Sequence, residues 1–351
     1  VVIASIAPTV FLDASQSDPH LIDYFLIGAG ADGDVSGRPG CSQCQYFRLS
    51  DRAQGTAQTI YVHGAAHNDF NCCGTSDGTG PDRIGRAAAQ VVAKSYLLAL
   101  VEVYAQGNLA TKEYLTRMYD DLDPSGIAPQ VEISTSYREL ANPENYVIDD
   151  FQTATGTGQS SSGGTVTYDV SNLYEGDNED NDDVFTALPS DPMNGMIFDS
   201  GQGDFTRGVI FDYTVGETRF VEFSVVPALR DVRGQRYLSF RACQGTRHDE
   251  TRAHNGPLSF GASLRDGEGV TATVRFGSWG ELTPLYQRTG SGTNAGWVNE
   301  MNTVRIPLTA FETDGTGIDL SNIVAVRLEL GAVFGSERGR VGVDDLQIMK
   351  E

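Results

Sequence analysis

The sequence predicts an α/β unit at residues 1–145 followed by an all-β unit at residues 146–351. Long apolar runs and one long helical pattern fill the first part, which is typical of a parallel sheet covered by helices. Near residue 146 the helical periodicity ends, and Gly, Ser, Thr and Asp become frequent. Short segments of alternating apolar and polar residues follow, and they predict an antiparallel, jelly-roll-like β-sandwich.

Three apolar runs predict the strands of the first unit: VVIASIAPTVF, HLIDYFLIGAG and TIYVHGA. Continuous apolar runs fit strands that are buried on both faces of a parallel sheet. Between the second and third runs, CSQCQYFRLSDRA is long enough for a short crossover helix. A helix is predicted at residues 82–106, where the pattern is apolar almost all round and therefore indicates burial. A second helix is predicted at residues 108–119, with Asn108 as its N-cap.

Nine segments predict the strands of the second unit: YVIDDFQ, GVIFDYTV, RFVEFSVV, RYLSFRAC, LSFGASLRD, TATVRFG, TVRIPLTAF, IVAVRLEL and RVGVDDLQIM. The acidic run EGDNEDNDD at residues 175–183 predicts a solvated loop, with a calcium-binding loop as the alternative. Trp279 and Trp297 are expected to pack in the core, although either could instead stack on a sugar ring.

The charge balance limits the partners of this chain. It has 47 Asp and Glu against 25 Lys and Arg, a net charge of −22, which argues against nucleic acid and anionic membrane surfaces as partners. No run approaches the roughly 20 apolar residues that span a bilayer, so no membrane span is expected. The chain opens directly in the strand-like run VVIASIAPTV. We therefore expect it to be accompanied by an N-terminal fragment, or the remainder, of the same precursor.

Four of the five cysteines crowd into one short region as the pairs Cys41/Cys44 and Cys72/Cys73. This pattern predicts disulfides in an exported protein, secreted, extracellular or periplasmic, and a bridge between the two pairs would tie their loops together. Zinc binding is the alternative, but the vicinal pair has the wrong spacing for a second zinc knuckle. Cys243 lies in an alternating strand and is expected to be a buried, inert thiol.

Carboxylates and a histidine follow two of the predicted strands directly. Asp32 and Asp34 come after LIGAG, and His67 comes after YVHGAA, in which His63 is expected to pack on the sheet. Loops at the carboxyl ends of strands form the active sites of α/β sheets. An acid on one such loop and a histidine on the next match the Asp–His order of a hydrolase triad. The alternatives are a structural histidine and ordinary Asp-Gly turn chemistry.

On these motifs, residues 1–120 resemble the C-terminal half of an α/β-hydrolase of the serine esterase or lipase type. LIGAGADGDV is similar to the family's strand, Gly, Asp and nearby Val, and YVHGAAHNDF is similar to its strand–Gly–x–x–His turn. The resemblance implies that Asp32 is the triad acid, with Asp34 in reserve, and that His67 is the base. It also implies that the serine nucleophile lies upstream of Val1.

The segment Gly74–Gly78 around Ser76 has the pattern G-x-S-x-G of a nucleophile elbow. An elbow needs a strand that runs into the first Gly and a helix that begins immediately afterwards. Here NDFNCC precedes the motif, and TGPD separates it from the next helix. We therefore interpret this segment as a loop, and Ser76 as a residue without a nucleophilic role.

Residues 146–351 resemble the galactose-binding-like sandwiches found as carbohydrate-binding modules, through the segments VRIPL, VIDDFQ and VGVDDLQI. The resemblance implies a sandwich fold, while sugar binding stays open. It also implies that Asp150 could meet Asp344 or Asp345 around a structural Ca²⁺, the cation that such hard oxygen ligands suit. Surface carboxylates at strand ends are the alternative.

The function predicted from these features is a secreted serine hydrolase that cleaves carboxylic esters through an acyl-enzyme, with the sandwich as an accessory unit. The ester substrate could be polymeric, and no cofactor is expected for catalysis. The alternative is a non-catalytic extracellular binding or structural protein built on a hydrolase-like scaffold.

Overall fold

The computed structural model of the chain describes residues 1–8, 19–33, 50, 52–74, 78–116, 122–139, 142–153, 156–177, 196, 207–216, 218–246, 248–288 and 296–351. Within these residues the chain forms a first unit with a four-stranded sheet and a second unit with two larger sheets packed together. Each unit has its own hydrophobic core.

The first sheet has the strand order β1 (Val2–Ile6), β2 (Asp23–Ala29), β3 (Thr56–Val62) and β4 (Ile133–Glu139). The three predicted strands form, and they are parallel to one another. The expectation of an all-parallel sheet is wrong, because β4 pairs antiparallel to β3.

Strand β1 is also less buried than its apolar sequence predicts. Ile3 and Ile6 are each 37% exposed, whereas β2 and β3 are buried along nearly their whole length. The reason is position, since β1 is an edge strand in the described part of the sheet and pairs only with β2 there.

The long helix α1 spans Gly85–Tyr104, close to its predicted bounds. Its inner face, with Val92 and Tyr96, packs in the core of the first unit. Its outer face leaves Leu98 and Val101 exposed, which corrects the expectation of burial almost all round. Within the described ranges, α1 alone is long and apolar enough to cross a membrane by length and composition.

The second predicted helix is shorter than expected. A 3₁₀ turn at Leu109–Thr111 leads into α2 at Lys112–Thr116, and residues 117–121 lie outside the described residues. The Asn108 side chain does not cap this turn but donates to Glu102 Oε2 at 3.3 Å. Most of the predicted crossover segment at residues 41–53 also lies outside the described residues.

All nine segments predicted for the second unit contain strands. They are β5 (Tyr146–Asp149), β8 (Arg207–Tyr213), β9 (Arg219–Ser224), β10 (Tyr237–Gln244), β11 (Gly261–Asp266), β12 (Thr271–Arg275), β15 (Asn302–Pro307), β16 (Ile323–Leu330) and β17 (Gly339–Met349). Further elements were not predicted from the sequence: the strands β6 (Val166–Tyr168), β7 (Ser171–Asp177), β13 (Tyr286–Arg288) and β14 (Gly296–Val298) and two short helices, α3 (Asp249–His254) and α4 (Leu308–Glu312). Residues 175–177 of the predicted acidic loop belong to β7, and residues 178–183 lie outside the described residues.

These strands form the predicted antiparallel sandwich. One sheet has the order β15-β10-β17-β8-β7, with β5 on β17, and the other has the order β12-β11-β16-β9-β6. Apolar side chains from the facing sides of both sheets fill the core, as expected for aligned sheets. At its centre the rings of Phe240, Phe260 and Phe276 lie with centroids 4.5–5.9 Å apart. Trp279 packs against this core, partly buried, as predicted.

The outer face of the β15-β10-β17 sheet is partly covered by strand β4 of the first unit. The backbone N–H of Tyr137 donates to Thr303 Oγ1 at 2.7 Å, and the same hydroxyl donates back to the Tyr137 carbonyl at 3.2 Å. Ser134 and Thr283 share a hydrogen bond of 2.6 Å between their hydroxyls. The two units therefore meet through a hydrogen-bonded interface along one strand.

Candidate active site

The loops after β2 and β3 are joined at the carboxyl ends of these strands. The N–H of Gly30 donates to the carbonyl of Val62 at 2.9 Å, and the N–H of Ala31 donates to the carbonyl of Ala65 at 2.8 Å. The first loop carries Asp32, which lies directly after Ala31. The parallel pairing of β2 with β3 therefore brings Asp32 close to the turn that follows β3.

Asp32 and His67 form a direct side-chain contact, with 3.2 Å between Asp32 Oδ2 and His67 Nδ1. The Asp32 side chain is completely buried, while 18% of the His67 side chain is exposed. A buried carboxylate at Nδ1 can hold an imidazole in one tautomer and stabilise the imidazolium that forms when Nε2 takes up a proton. The contact thus places a buried carboxylate at Nδ1 of a histidine whose side chain is partly exposed.

The turn that carries His67 is shaped by its small residues. Gly64 has a φ of +71°, which favours glycine, and a Cβ at this position would clash with the carbonyl oxygen of Asp82. The chain then enters a 3₁₀ turn at His67–Asp69, where Asp69 Oδ2 accepts a hydrogen bond from the N–H of Ala66 at 2.9 Å. The small residues of the motif thus allow the chain to turn sharply before His67.

Two other residues predicted in this region, Asp34 and Ser76, have no described position. Asp34, the reserve acid, and Ser76, the residue of the G-x-S-x-G motif, both lie outside the described residues. Asp32 therefore remains the acid that is seen in contact with His67.

The cysteines after His67 form a vicinal disulfide between Cys72 and Cys73. This pairing differs from the expected bridge to Cys41 and Cys44, which lie outside the described residues. Cys243 is buried as predicted, its Sγ donates to the Met196 carbonyl at 3.1 Å, and burial raises the pKa of its thiol.

The loop of the vicinal disulfide is held by the first turns of α1. Arg86 donates to the carbonyls of Cys72 at 3.2 Å and Gly74 at 2.8 Å, and Gln90 donates to the carbonyl of Asn71 at 2.8 Å. These contacts fasten the segment that leaves His67 to a helix packed on the sheet.

The carboxylates predicted to bind Ca²⁺ contact arginines instead. Arg241 donates to Asp344 Oδ2 through Nη2, and its Nε lies 3.0 Å from Asp345 Oδ2. Arg138 of β4 lies 4.0 Å from Asp345 Oδ2, and all four of these side chains are buried. Asp150 is not part of this cluster, and its Oδ1 accepts from the backbone N–H of Gln152 at 3.1 Å. The described ranges contain no group of three or more His, Cys, Asp or Glu suited to a metal ion.

A β-bulge explains why two successive carboxylates reach the same arginine. On β10 the register advances by two residues, from Ser239 to Arg241, while on β17 it moves by three, from Gln347 to Asp344. Asp345 occupies the extra position with a φ of +48°. A bulge re-aims side chains that would alternate in a regular strand. Burial and the neighbouring Asp345 raise the pKa of Asp344 to about 8, against the opposite effect of Arg241 and Arg138.

His63 lies just after β3 and is buried, as predicted. Its ring contacts those of Tyr61 and Tyr286, with centroid distances of 5.7 and 5.8 Å. Its Nε2 has no hydrogen-bond partner among the described residues. Burial lowers the pKa of His63 to about 4 from an ordinary value of 6.5, so the ring is neutral in the folded protein at neutral pH.

Replacing His63 by Phe is expected to remove a loss of stability on acidification. The unfolded chain protonates this residue near pH 6.5 and the folded chain only near pH 4, so the wild-type protein loses stability as the pH falls through this window. The loss amounts to about 3 kcal/mol in unfolding free energy. Urea unfolding at several pH values, with exposed His20→Asn as the control, measures it. An unchanged pH dependence in His63→Phe would contradict the assignment.

Comparisons with known proteins add only weak likenesses. No family model and no curated protein sequence matches the chain. A family 11 carbohydrate-binding module of a cellulosomal cellulase of Clostridium thermocellum is similar with 12% identity and a TM-score of 0.31, over 58% of this chain and 94% of that chain. A family 30 module from the same organism has 16% identity and a TM-score of 0.30, over 42% and 76%.

A β-1,2-glucanase from Parabacteroides distasonis is similar with 14% identity and a TM-score of 0.32, over 59% of this chain and 25% of that chain. Likenesses at this level carry no argument about activity or ligand. The description of residues 146–351 as a β-sandwich rests on the strand order and on the core between its two sheets.

Proposed function

We propose that the first unit carries the acid and base of a serine hydrolase that cleaves carboxylic esters. The observation that supports this is the contact of 3.2 Å between buried Asp32 and partly exposed His67. The two residues are 35 positions apart in the sequence and meet because they follow neighbouring parallel strands. An acid and a base at the carboxyl ends of parallel strands are arranged as a hydrolase triad requires.

In the proposed reaction, His67 Nε2 takes the proton of a serine hydroxyl while the serine Oγ attacks the ester carbonyl carbon. The imidazolium then returns this proton to the alkoxide that leaves, and an acyl-enzyme remains. Water attacks the acyl carbon in the second half-reaction, and His67 takes a proton from it. The bond between the acyl carbon and the serine Oγ then breaks, the imidazolium returns the proton to Oγ, and the carboxylic acid is released. Asp32 accepts the Nδ1–H throughout and stabilises the positive ring.

The serine is proposed to lie on a further strand of the same sheet, in a part of the precursor that precedes β1. Exposed Ile3 and Ile6 on β1, and exposed Leu98 and Val101 on α1, support this placement. A parallel strand pairing with the edge of β1 that is unpaired in the described part of the sheet, together with its helix, would cover these apolar side chains. It would also present its carboxyl end on the same side of the sheet as Asp32 and His67.

A fluorophosphonate probe tests this proposal on the intact precursor. We expect covalent labelling of one serine, identified by mass spectrometry, and loss of labelling in His67→Ala and in heat-denatured protein. Labelling at Ser76 would contradict the proposed location of the nucleophile. If the folded protein is not labelled at all, the hydrolase proposal is wrong, and the alternative of a non-catalytic binding or structural protein is favoured.

A further inference from the structure

We propose that Tyr286, a residue of the sandwich, is a positioning residue for the Asp32–His67 pair. This inference rests on the proposed function for its catalytic consequence, although the contacts themselves do not depend on it. Tyr286 begins β13 and is buried against the first unit. Its hydroxyl donates to the carbonyl of Pro81 at 2.6 Å and lies 3.3 Å from the carbonyl of Thr79.

The segment that Tyr286 contacts, residues 78–84, connects the two candidate catalytic loops. The N–H of Thr79 donates to the carbonyl of Ala31, the residue before Asp32, at 2.8 Å. The N–H of Ile84 donates to the carbonyl of Gly64, at the start of the His67 turn, at 3.1 Å. A displacement of this segment therefore acts on the acid loop and the base loop together.

Arg83 adds a second connection between residues 78–84 and the His67 turn. Arg83 donates to the carbonyl of Gly78 at 2.6 Å, and its Nη2 lies 3.8 Å from Asp69 Oδ2. Asp69 in turn accepts from the N–H of Ala66, the residue before His67. Residues 78–84 thus contact the His67 turn on both sides of the histidine.

The backbone approaches Tyr286 as closely as it does because residue 80 is glycine. Gly80 has a φ of +115°, and a Cβ at this position would overlap the Tyr286 hydroxyl. The Tyr286 ring also lies near that of His63, which directly follows β3, with 5.8 Å between the two centroids. Tyr286 therefore contacts both the residue after β3 and the segment that joins the two loops.

The interface along β4 fixes the position of the sandwich, and so of Tyr286, relative to the first unit. Hydrogen bonds from Tyr137 to Thr303 and between Ser134 and Thr283 hold the two units in one register. The sandwich is therefore a structural component of the candidate active site, in addition to any binding function of its own. The partly buried hydrogen bond from Tyr286 to the Pro81 carbonyl therefore links two units that the sequence patterns predict as separate.

Tyr286→Phe removes the hydroxyl and keeps the ring, so the fold is expected to persist. The matched control is Tyr213→Phe, because Tyr213 is a buried sandwich tyrosine whose hydroxyl has no hydrogen-bond partner in the described part of the chain. In Tyr286→Phe we expect the amides of Thr79 and Ile84 to exchange with deuterium about tenfold faster. The control is expected to leave them unchanged.

The catalytic consequence is measured on the intact precursor as the rate of fluorophosphonate labelling. A loss of alignment between the acid and the base is expected to slow labelling by roughly 10- to 100-fold in Tyr286→Phe. Apparent binding of the probe should be unchanged, and Tyr213→Phe should label at the wild-type rate. A general loss of stability in Tyr286→Phe would instead speed deuterium exchange throughout both cores, and not only at Thr79 and Ile84.

The outcomes separate this inference from the proposed function. Unchanged deuterium exchange at Thr79 and Ile84 in Tyr286→Phe would overturn it whether or not the protein is a hydrolase. Faster exchange with an unaltered labelling rate would also overturn it, because the contact would then not align the pair. Absence of labelling in the wild-type protein would instead contradict the proposed function, and the exchange measurement would still decide whether Tyr286 holds the two loops.

Discussion

In the proposed ester hydrolysis by the intact precursor, replacing Asp32 by Asn is expected to lower kcat by about 10⁴-fold, with little change in KM. The amide keeps the size of the carboxylate but can donate to His67 Nδ1, which favours the tautomer with a proton on Nε2. That tautomer cannot accept the serine proton, and the imidazolium loses the negative charge 3.2 Å from its ring. Steady-state kinetics on a chromogenic short-chain ester measures the effect.

The combination with His67→Ala makes this test more specific. Members of a triad act as one unit, so Asp32→Asn/His67→Ala should be no slower than His67→Ala alone. Asp231→Asn alters an exposed carboxylate of the sandwich that pairs with Arg233, and it is the matched control for loss of a negative charge. If kcat of the double variant falls by the product of the two single-variant losses, the two residues act independently. That result would contradict the proposed pair.

Replacing Arg241 by Met is expected to lower the free energy of unfolding by about 3–5 kcal/mol. The substitution leaves Asp344 and Asp345 buried without the guanidinium that contacts both of them. Because Arg241 Nη1 also donates to Ser136 Oγ on β4 at 3.1 Å, the change weakens the interface between the units as well. Urea unfolding followed by tryptophan fluorescence measures the loss.

The pH dependence of this loss provides a second check. The folded-state pKa of Asp344 is raised to about 8, so its protonated form is favoured in the folded protein, and the associated stability is lost as the pH rises towards that value. At alkaline pH Asp344 is ionised, and in Arg241→Met this buried charge lacks the guanidinium that contacts it. Arg241→Met should therefore be most destabilising at alkaline pH. Arg233→Met removes an arginine that is exposed, and no measurable loss is expected from it. Equal effects of the two substitutions would show that the buried cluster does not contribute as described.

The candidate acid–base pair could be predicted from the sequence because each residue has a local signal. Asp32 and His67 directly follow apolar runs, and strands that are parallel and adjacent place their carboxyl ends together. The nine sandwich strands were predictable for a similar reason, since a period of two in apolar residues is a local property. Neither inference required knowledge of which distant residues meet.

Strand β4 and Tyr286 could not be predicted in this way. The sequence of β4, Ile133–Glu139, is rich in polar residues because one of its faces lies against the polar interface with the sandwich. Its burial depends on a second unit more than a hundred residues away in the sequence. Tyr286 carries no local signal for its contact with Pro81, since it lies in a three-residue strand 205 positions further along the chain.

Local patterns therefore predict the two kinds of unit, most of their strands, the long helix and the positions of the candidate acid and base after neighbouring strands. Two further contacts became apparent only in the folded chain: Arg241 contacts both Asp344 and Asp345, and Tyr286 of the sandwich contacts the segment at residues 78–84. These contacts could not be predicted because they join residues that are far apart in the sequence. Periodicity and turn chemistry act between near neighbours, whereas the partner of a buried charge or hydroxyl is set by whichever distant strand the fold brings against it.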